Sequence, residues 1–130
     1  RKSSLPDPLT GINRRISGDL IHEFSAELRY DIPGGNWAVG ANYFDFSQAD
    51  EVRLSQLAEF PIDGGDLGFY VENKDVRGLT VRLGLSNLIG TNEAFRRTFY
   101  VARRDGPVAF VEDRDRFFGP VVRLDINGSF

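Results

Sequence analysis

The sequence predicts an all-β protein, an antiparallel up-and-down meander of about seven strands. Three observations carry this. Apolar and polar residues alternate with period 2 in several separate segments, as side chains do along a strand. Gly- and Pro-rich turn signals fall between those segments. No stretch has a helical period long enough for a βαβ unit.

Residues 1–18 read as loop, with two Pro, several Ser, basic residues and no apolar period. His22 to Ile32 is the clearest strand: Phe24, Ala26, Leu28, Tyr30 and Ile32 share one face against Glu23, Ser25, Glu27, Arg29 and Asp31. Pro33 to Asn36 is a tight turn. Trp37, Val39, Ala41 and Tyr43 then alternate with Ala38, Gly40, Asn42 and Phe44. Over residues 47–60 the phase weakens, and strand, loop and short helix all fit. Pro61 to Asp66 holds Gly64-Gly65, a second turn, before the strand of Leu67, Phe69 and Val71. Lys74 to Gly78 turns the chain. Leu79, Val81, Leu83 and Leu85 make another regular strand. Asn87 to Ala94 is a turn, Phe95 to Arg103 a strand, and Asp105-Gly106-Pro107 a turn. Val108 to Val111 pairs back in the same hairpin, and Glu112 to Arg116 is a dense run of mixed charge. Phe118 to Phe130 closes the chain, with Phe118, Pro120, Val122, Leu124, Ile126, Gly128 and Phe130 on one face. These segments read as one domain without an internal linker.

Composition excludes several function classes. Sixteen Lys+Arg against 19 Asp+Glu leave a net charge of -3 and no basic stripe for nucleic acid. With no Cys and a single His, thiolate metal sites and Ser-His-Asp chemistry lack their residues. His22 and Glu23 are adjacent on a strand and point to opposite faces, so they cannot chelate together. Glu112, Asp113 and Asp115 lack the spacing of a calcium loop. The expectation is no catalytic residue, no metal, no cofactor and no enzyme activity. Met is absent even at position 1, so the chain reads as a cleaved or excised piece. No run of 18 apolar residues would form a membrane-spanning helix.

Alternation defines two faces without saying which one meets water. A soluble barrel points its apolar face inward. An outer-membrane barrel points it outward, to lipid, with aromatics at both interfaces. An aromatic last residue, with aromatics near strand ends (Tyr30, Trp37, Tyr43, Phe44, Phe46, Phe130), favours the second arrangement.

Gly78 to Leu88 (GLTVRLGLSNL) resembles the Asn-Leu strand near the C-terminus of TonB-dependent outer-membrane receptors. Asn87 and Leu88 open the turn motif, Gly90 replaces the usual Asp, and Phe95 stands where Tyr is common. The tail from Arg103 to Phe130 is similar to the final hairpin and closing strand of one subgroup of that family. The resemblance covers most of residues 19–130 and departs from the family in size. Such barrels have about 22 strands around a plug, so residues 19–130 would be C-terminal barrel strands without the plug.

The resemblance implies energy-coupled uptake of a scarce ligand, such as an iron chelate (siderophore), at the bacterial outer membrane. The implied partners are outer-membrane lipid, the outer-membrane insertion machinery, the rest of the barrel and plug, and the energy-coupling protein reached through the plug. No nucleic acid is expected, and self-association is expected of the isolated piece. The implied insertion signal is Phe118, Val122, Leu124, Ile126, Gly128 and Phe130. Asn87, Leu88 and Phe95 form the implied periplasmic turn motif, with the turns at Pro33–Asn36 and Pro61–Asp66 on the same side. Ser47–Asp50, Lys74–Gly78 and Arg103–Arg116 would face outside, where Arg103, Arg104, Arg114 and Arg116 are the candidate ligand-facing loop. The alternative is a small soluble barrel of the lipocalin or fatty-acid-binder kind, holding an apolar ligand.

Overall fold

The structure, a computed structural model, describes residues 3–63 and 65–128. It is all-β, and the strand registers of the described residues are antiparallel. The strands are β1 (Leu5–Pro6), β2 (Asn13–Arg14), β3 (Leu20–Asp31), β4 (Trp37–Gln48), β5 (Glu51–Val52), β6 (Gln56–Glu59), β7 (Ile62–Asp63), β8 (Asp66–Val76), β9 (Leu79–Ser86), β10 (Asn92–Tyr100), β11 (Val108–Phe117) and β12 (Val121–Asn127). Residues 47–60 are strand and turn, without helix. The closing strand is shorter than its alternation suggests, because Phe118, Gly119 and Pro120 lie outside regular structure.

The chain forms two compact units, each gathered from three segments. Unit 2 (Phe24–Asp45, Gly64–Thr91 and Phe118–Phe130) is built on the five-stranded sheet of order β12-β9-β8-β4-β3. Its register aligns the apolar positions in rows. Val39, Val71, Leu83 and Leu124 are partners in turn across four strands, as are Ala41, Phe69, Leu85 and Val122. On the opposite face Ala38, Glu72, Arg82 and Asp125 form one row, and Gly40, Tyr70, Gly84 and Arg123 the next. Two short turns serve this sheet. At the first, Ile32 N–H donates to Trp37 O at 2.9 Å and Gly34 has φ 76°. The second joins Val76 to Leu79 through Arg77 (φ 58°) and Gly78 (φ 81°). Positive φ at both central residues is the turn whose twist matches a β-hairpin. Asp75 Oδ1 accepts the Gly78 N–H at 2.9 Å. Lys74 and Asp75, expected in this turn, remain in β8, where a bulge between Asn73 and Val76 shifts the register.

Unit 1 (Arg1–Glu23, Phe46–Asp63 and Asn92–Phe117) contains the sheet β11-β10-β6-β5, with β7 also paired to β10. The segment expected as loop over 1–18 carries the β1–β2 hairpin, whose turn is organised by Asp7. The Asp7 Oδ1 accepts the N–H groups of Leu9 (2.9 Å) and Thr10 (3.2 Å). The charged run Glu112–Arg116, expected in a loop, lies within β11. Directly opposite partners place Arg96 against Asp113 and Arg97 against Glu112, so the run is matched in charge across the ladder.

The register corrects the sidedness read from the turns. Trp37, Asn73, Val81 and Ile126 align at one end of the five-stranded sheet, and Ser86 pairs with Val121 at the other, where Phe44 pairs with Asp66. Pro33–Asn36 and Lys74–Gly78 therefore share the end where β12 finishes. Asn87 and Asp66 share the opposite end. Alternating turns along the sequence instead put Pro33–Asn36 with Asn87, and Lys74–Gly78 on the other side. The cause is parity: β5–β7 and β10–β11 belong to another sheet, so they do not count as crossings of this one.

The β8–β9 turn gives the first prediction. Gly78→Val should cost about 1–2 kcal/mol, the strain of a left-handed non-Gly residue, whereas Arg77→Gly should keep or raise stability. Urea midpoints of the two variants check this.

Candidate functional sites

The five-stranded sheet leaves its apolar face exposed. The apolar side chains Val39, Phe69, Leu83, Leu85, Val122 and Leu124 are all exposed, from 39% to 67%. Among the described residues the buried apolar side chains are Ala38, Ala49 and Ala58, and no large side chain is fully buried. On the other face Glu72 is only 7% exposed. It is held from both flanks: Arg29 Nη2 donates to Oε1 at 2.6 Å, and Arg82 Nε donates to Oε2 at 2.8 Å. Arg82 also lies 4.2 Å from the Tyr70 ring centroid, and Arg29 Nη1 reaches the Tyr70 hydroxyl at 3.5 Å. Gly40 makes room for that ring; a Cβ there would meet Tyr70 Cζ at a clashing distance. Lys74 and Asp31 form a further ion pair at 2.5 Å.

The C-terminal residues singled out in the sequence divide. Val122, Leu124 and Ile126 are exposed on the apolar face of β12 (67%, 61% and 58%). Phe118 precedes the strand and is 47% exposed. Gly128 sits against Leu79, whose side chain would have to move for a Cβ. Phe130 lies outside the described residues.

The Asn-Leu motif is a structural junction. Asn87 adopts φ 54° and is 8% exposed. Its N–H donates to Asp66 Oδ1 at 2.6 Å, and its Oδ1 accepts Thr91 N–H at 2.8 Å. Its Nδ2 donates to Phe118 O at 2.5 Å and Gly119 O at 3.3 Å. Leu88 N–H donates to Leu67 O at 3.1 Å. One asparagine thus ties the start of β8, the end of β9 and the approach to β12. Asn suits this position because it tolerates the left-handed region and carries both donor and acceptor. Phe95, grouped with it in the sequence reading, belongs to β10 in unit 1.

The four candidate ligand-facing arginines also divide. Arg104 is committed to the fold. Its Nη2 donates to Asp7 Oδ2 at 2.5 Å, its Nε to Arg53 O at 2.6 Å, and its own N–H to Leu54 O at 2.9 Å. Arg103 lies in the turn before Gly106, whose N–H its carbonyl accepts at 2.9 Å. Arg114 and Arg116 stand on β11, on the same face as Phe95, Arg97 and Phe99 of β10. Arg97 and Arg114 lie 4.7 Å and 5.1 Å from the Phe95 centroid, and the Phe60 ring is 5.3 Å from it. A cavity of about 370 Å³ opens on this face, lined in part by Phe46, Phe60, Phe95, Arg97, Arg114 and Arg116. The sequence reading missed Arg97. Its only signal was strand alternation with Phe95 and Phe99.

Among the described residues no group of three His, Asp or Glu is placed to hold a metal. No helix is long and apolar enough to cross a membrane, which says nothing of strands. No family model, curated protein or solved structure matches the chain.

Two predictions follow from the junctions. Asn87→Ala should destabilise by about 2–4 kcal/mol, combining left-handed strain with buried polar groups left unpaired. Asn87→Gly should recover the backbone part, about 1 kcal/mol, as read from denaturant midpoints. At the second junction the Leu9 N–H, aided by Arg104, Thr10 and Arg14, outweighs burial and lowers the Asp7 carboxyl from 3.8 to about 2. A lowered carboxyl stabilises the fold fully above its unfolded value and loses that effect as pH falls through about 2. Stability against pH should therefore fall below pH 3.8 in the native chain, and less steeply in Asp7→Asn.

Proposed function

We propose that this chain supplies closing strands to the wall of an outer-membrane receptor barrel of the TonB-dependent type. Its part in energy-coupled uptake of a scarce ligand, such as an iron chelate, is to form wall and lumen lining. No covalent chemistry is required of it. The observation that carries this reading is the inverted five-stranded sheet, with exposed rows of Val, Leu and Phe on one face and a paired charge network on the other. Leaving those six apolar side chains half in water forgoes on the order of 5–10 kcal/mol of burial. A lipid environment recovers it. Alternating apolar-out and polar-in faces are what a membrane barrel requires.

Connectivity supports the same reading. Turns of a few residues join β3 to β4 and β8 to β9, both at the end where β12 finishes. At the other end the chain leaves the sheet for long excursions between β4 and β8 and between β9 and β12. Membrane barrels have short periplasmic turns and longer outer loops. A C-terminal strand ending in the periplasm would make Pro33–Asn36 and Arg77–Gly78 periplasmic and put Asn87 toward the outside, opposite to the side that the Asn-Leu resemblance implies, so the proposal rests on the faces and connectivity of the sheet and not on that motif. In this setting the partners are lipid against the apolar rows, the insertion machinery at β12, the rest of the barrel at the free edges of β3 and β12, and the plug with its energy-coupling protein. A small soluble barrel would instead enclose its large apolar side chains.

Arginine scanning of the two faces provides the test. Leu83→Arg, in the middle of an apolar row, should weaken folding into phosphatidylcholine vesicles by about 2–4 kcal/mol, and Ser86→Arg, on the polar face, by less than about 1 kcal/mol. Equal effects at the two positions would remove the basis for a lipid-facing surface.

A further inference from the structure

We propose that the β10–β11 face of unit 1 is a binding site for a planar aromatic anion, taken up by guanidinium stacking and charge together. The inference goes beyond the membrane reading and stands on unit 1 alone. Phe95 is the floor of the site. Arg97 and Arg114 lie over it at 4.7 Å and 5.1 Å, and Phe60 flanks it at 5.3 Å with the rings inclined at 53°. Phe99 extends the surface: Arg97 lies 5.8 Å from its centroid, and it stacks on Phe110 at 4.3 Å. A guanidinium plane accepts an aromatic face on one side and donates to a carboxylate in its own plane.

The charges on this face leave room for an anion. Arg97, Arg114 and Arg116 share it with Glu93 and Glu112, three positive against two negative. Glu112 is taken by Arg114, whose Nε donates to Oε1 at 2.8 Å. Arg97 makes only a long 3.8 Å pair with Glu112, and its buried Nε has no hydrogen-bond partner. Arg116 has no ion pair among the described residues. Two guanidiniums thus remain with donor capacity beside an aromatic floor. The cavity of about 370 Å³ suits a ligand of one or two fused rings.

The test uses the whole chain and the fluorescence of 2-naphthoate as probe. The expected result is saturable one-to-one binding. Cyclohexanecarboxylate has the charge without the ring, and 2-naphthylmethanol the ring without the charge; each should bind about tenfold more weakly, the scale of one cation–π or charge-assisted contact. Arg97→Gln and Arg116→Gln should each weaken naphthoate about tenfold or more. Arg97→Lys, which keeps charge but not the planar fork, should recover only part of that loss. Arg103→Gln should leave binding unchanged. Circular dichroism checks that each variant retains its strands, and Phe60→Leu serves as a second probe of the aromatic wall should an arginine variant unfold. Absence of saturable binding, equal binding of either control compound, or an equal loss in Arg103→Gln would each overturn the proposal.

Discussion

The structure depends on Glu72 keeping both of its arginines. It is a carboxylate near the middle of a five-stranded sheet, almost without contact with water, and it accepts hydrogen bonds from Arg82 on the adjacent β9 and from Arg29, which reaches it from β3 across β4. Removing either arginine would leave half of that carboxylate without a donor in a place water barely enters. The same contacts set the sheet's geometry. Arg29 and Arg82 both lean on Tyr70, and Tyr70 lies over Gly40, so one polar cluster fixes the spacing of β3, β4, β8 and β9. Because strand side chains alternate, placing this cluster on one face puts Val39, Phe69, Leu83 and Leu85 on the other. The exposed apolar surface is thus the geometric partner of the polar network.

Much of the sheet was legible in the sequence, because the signal was local. The alternation of Leu79–Leu85 and of Val122–Ile126 gave both strands and their faces, and Pro33–Asn36 is the turn its composition indicates. Register and sheet membership were not legible, since both depend on partners distant in the chain. Nothing near Ser86 indicates that its partner is Val121, and nothing in the strand pattern of Phe95–Tyr100 indicates a different sheet. Counting β10 and β11 as ordinary crossings reversed the side assigned to Asn87. The left-handed φ at Arg77 was hidden as well, because Arg carries no preference for it.

The sites follow the same division. The sequence singled out Asn87 through a resemblance, yet its physical role as a junction rests on Asp66, Phe118 and Gly119, 21 to 32 residues away. Arg104 looked like a free loop cation; its partner Asp7 is 97 residues distant in the chain. Arg114 and Arg116 were singled out as loop residues, whereas they stand on a strand beside Arg97 and Phe95. Long-range pairing made Arg104 part of the scaffold, a local turn holds Arg103, and the other two candidate arginines stand on one aromatic face.

Whether lipid covers the exposed apolar rows is decided by the light-scattering mass of the purified chain in plain buffer and then in mild detergent. Rows of exposed Val, Leu and Phe beside two free sheet edges should drive association in buffer. The expected result is oligomers in buffer that dissociate in detergent. A 14.6 kDa monomer in buffer, unchanged by detergent, would contradict it and place the apolar face inside a closed core.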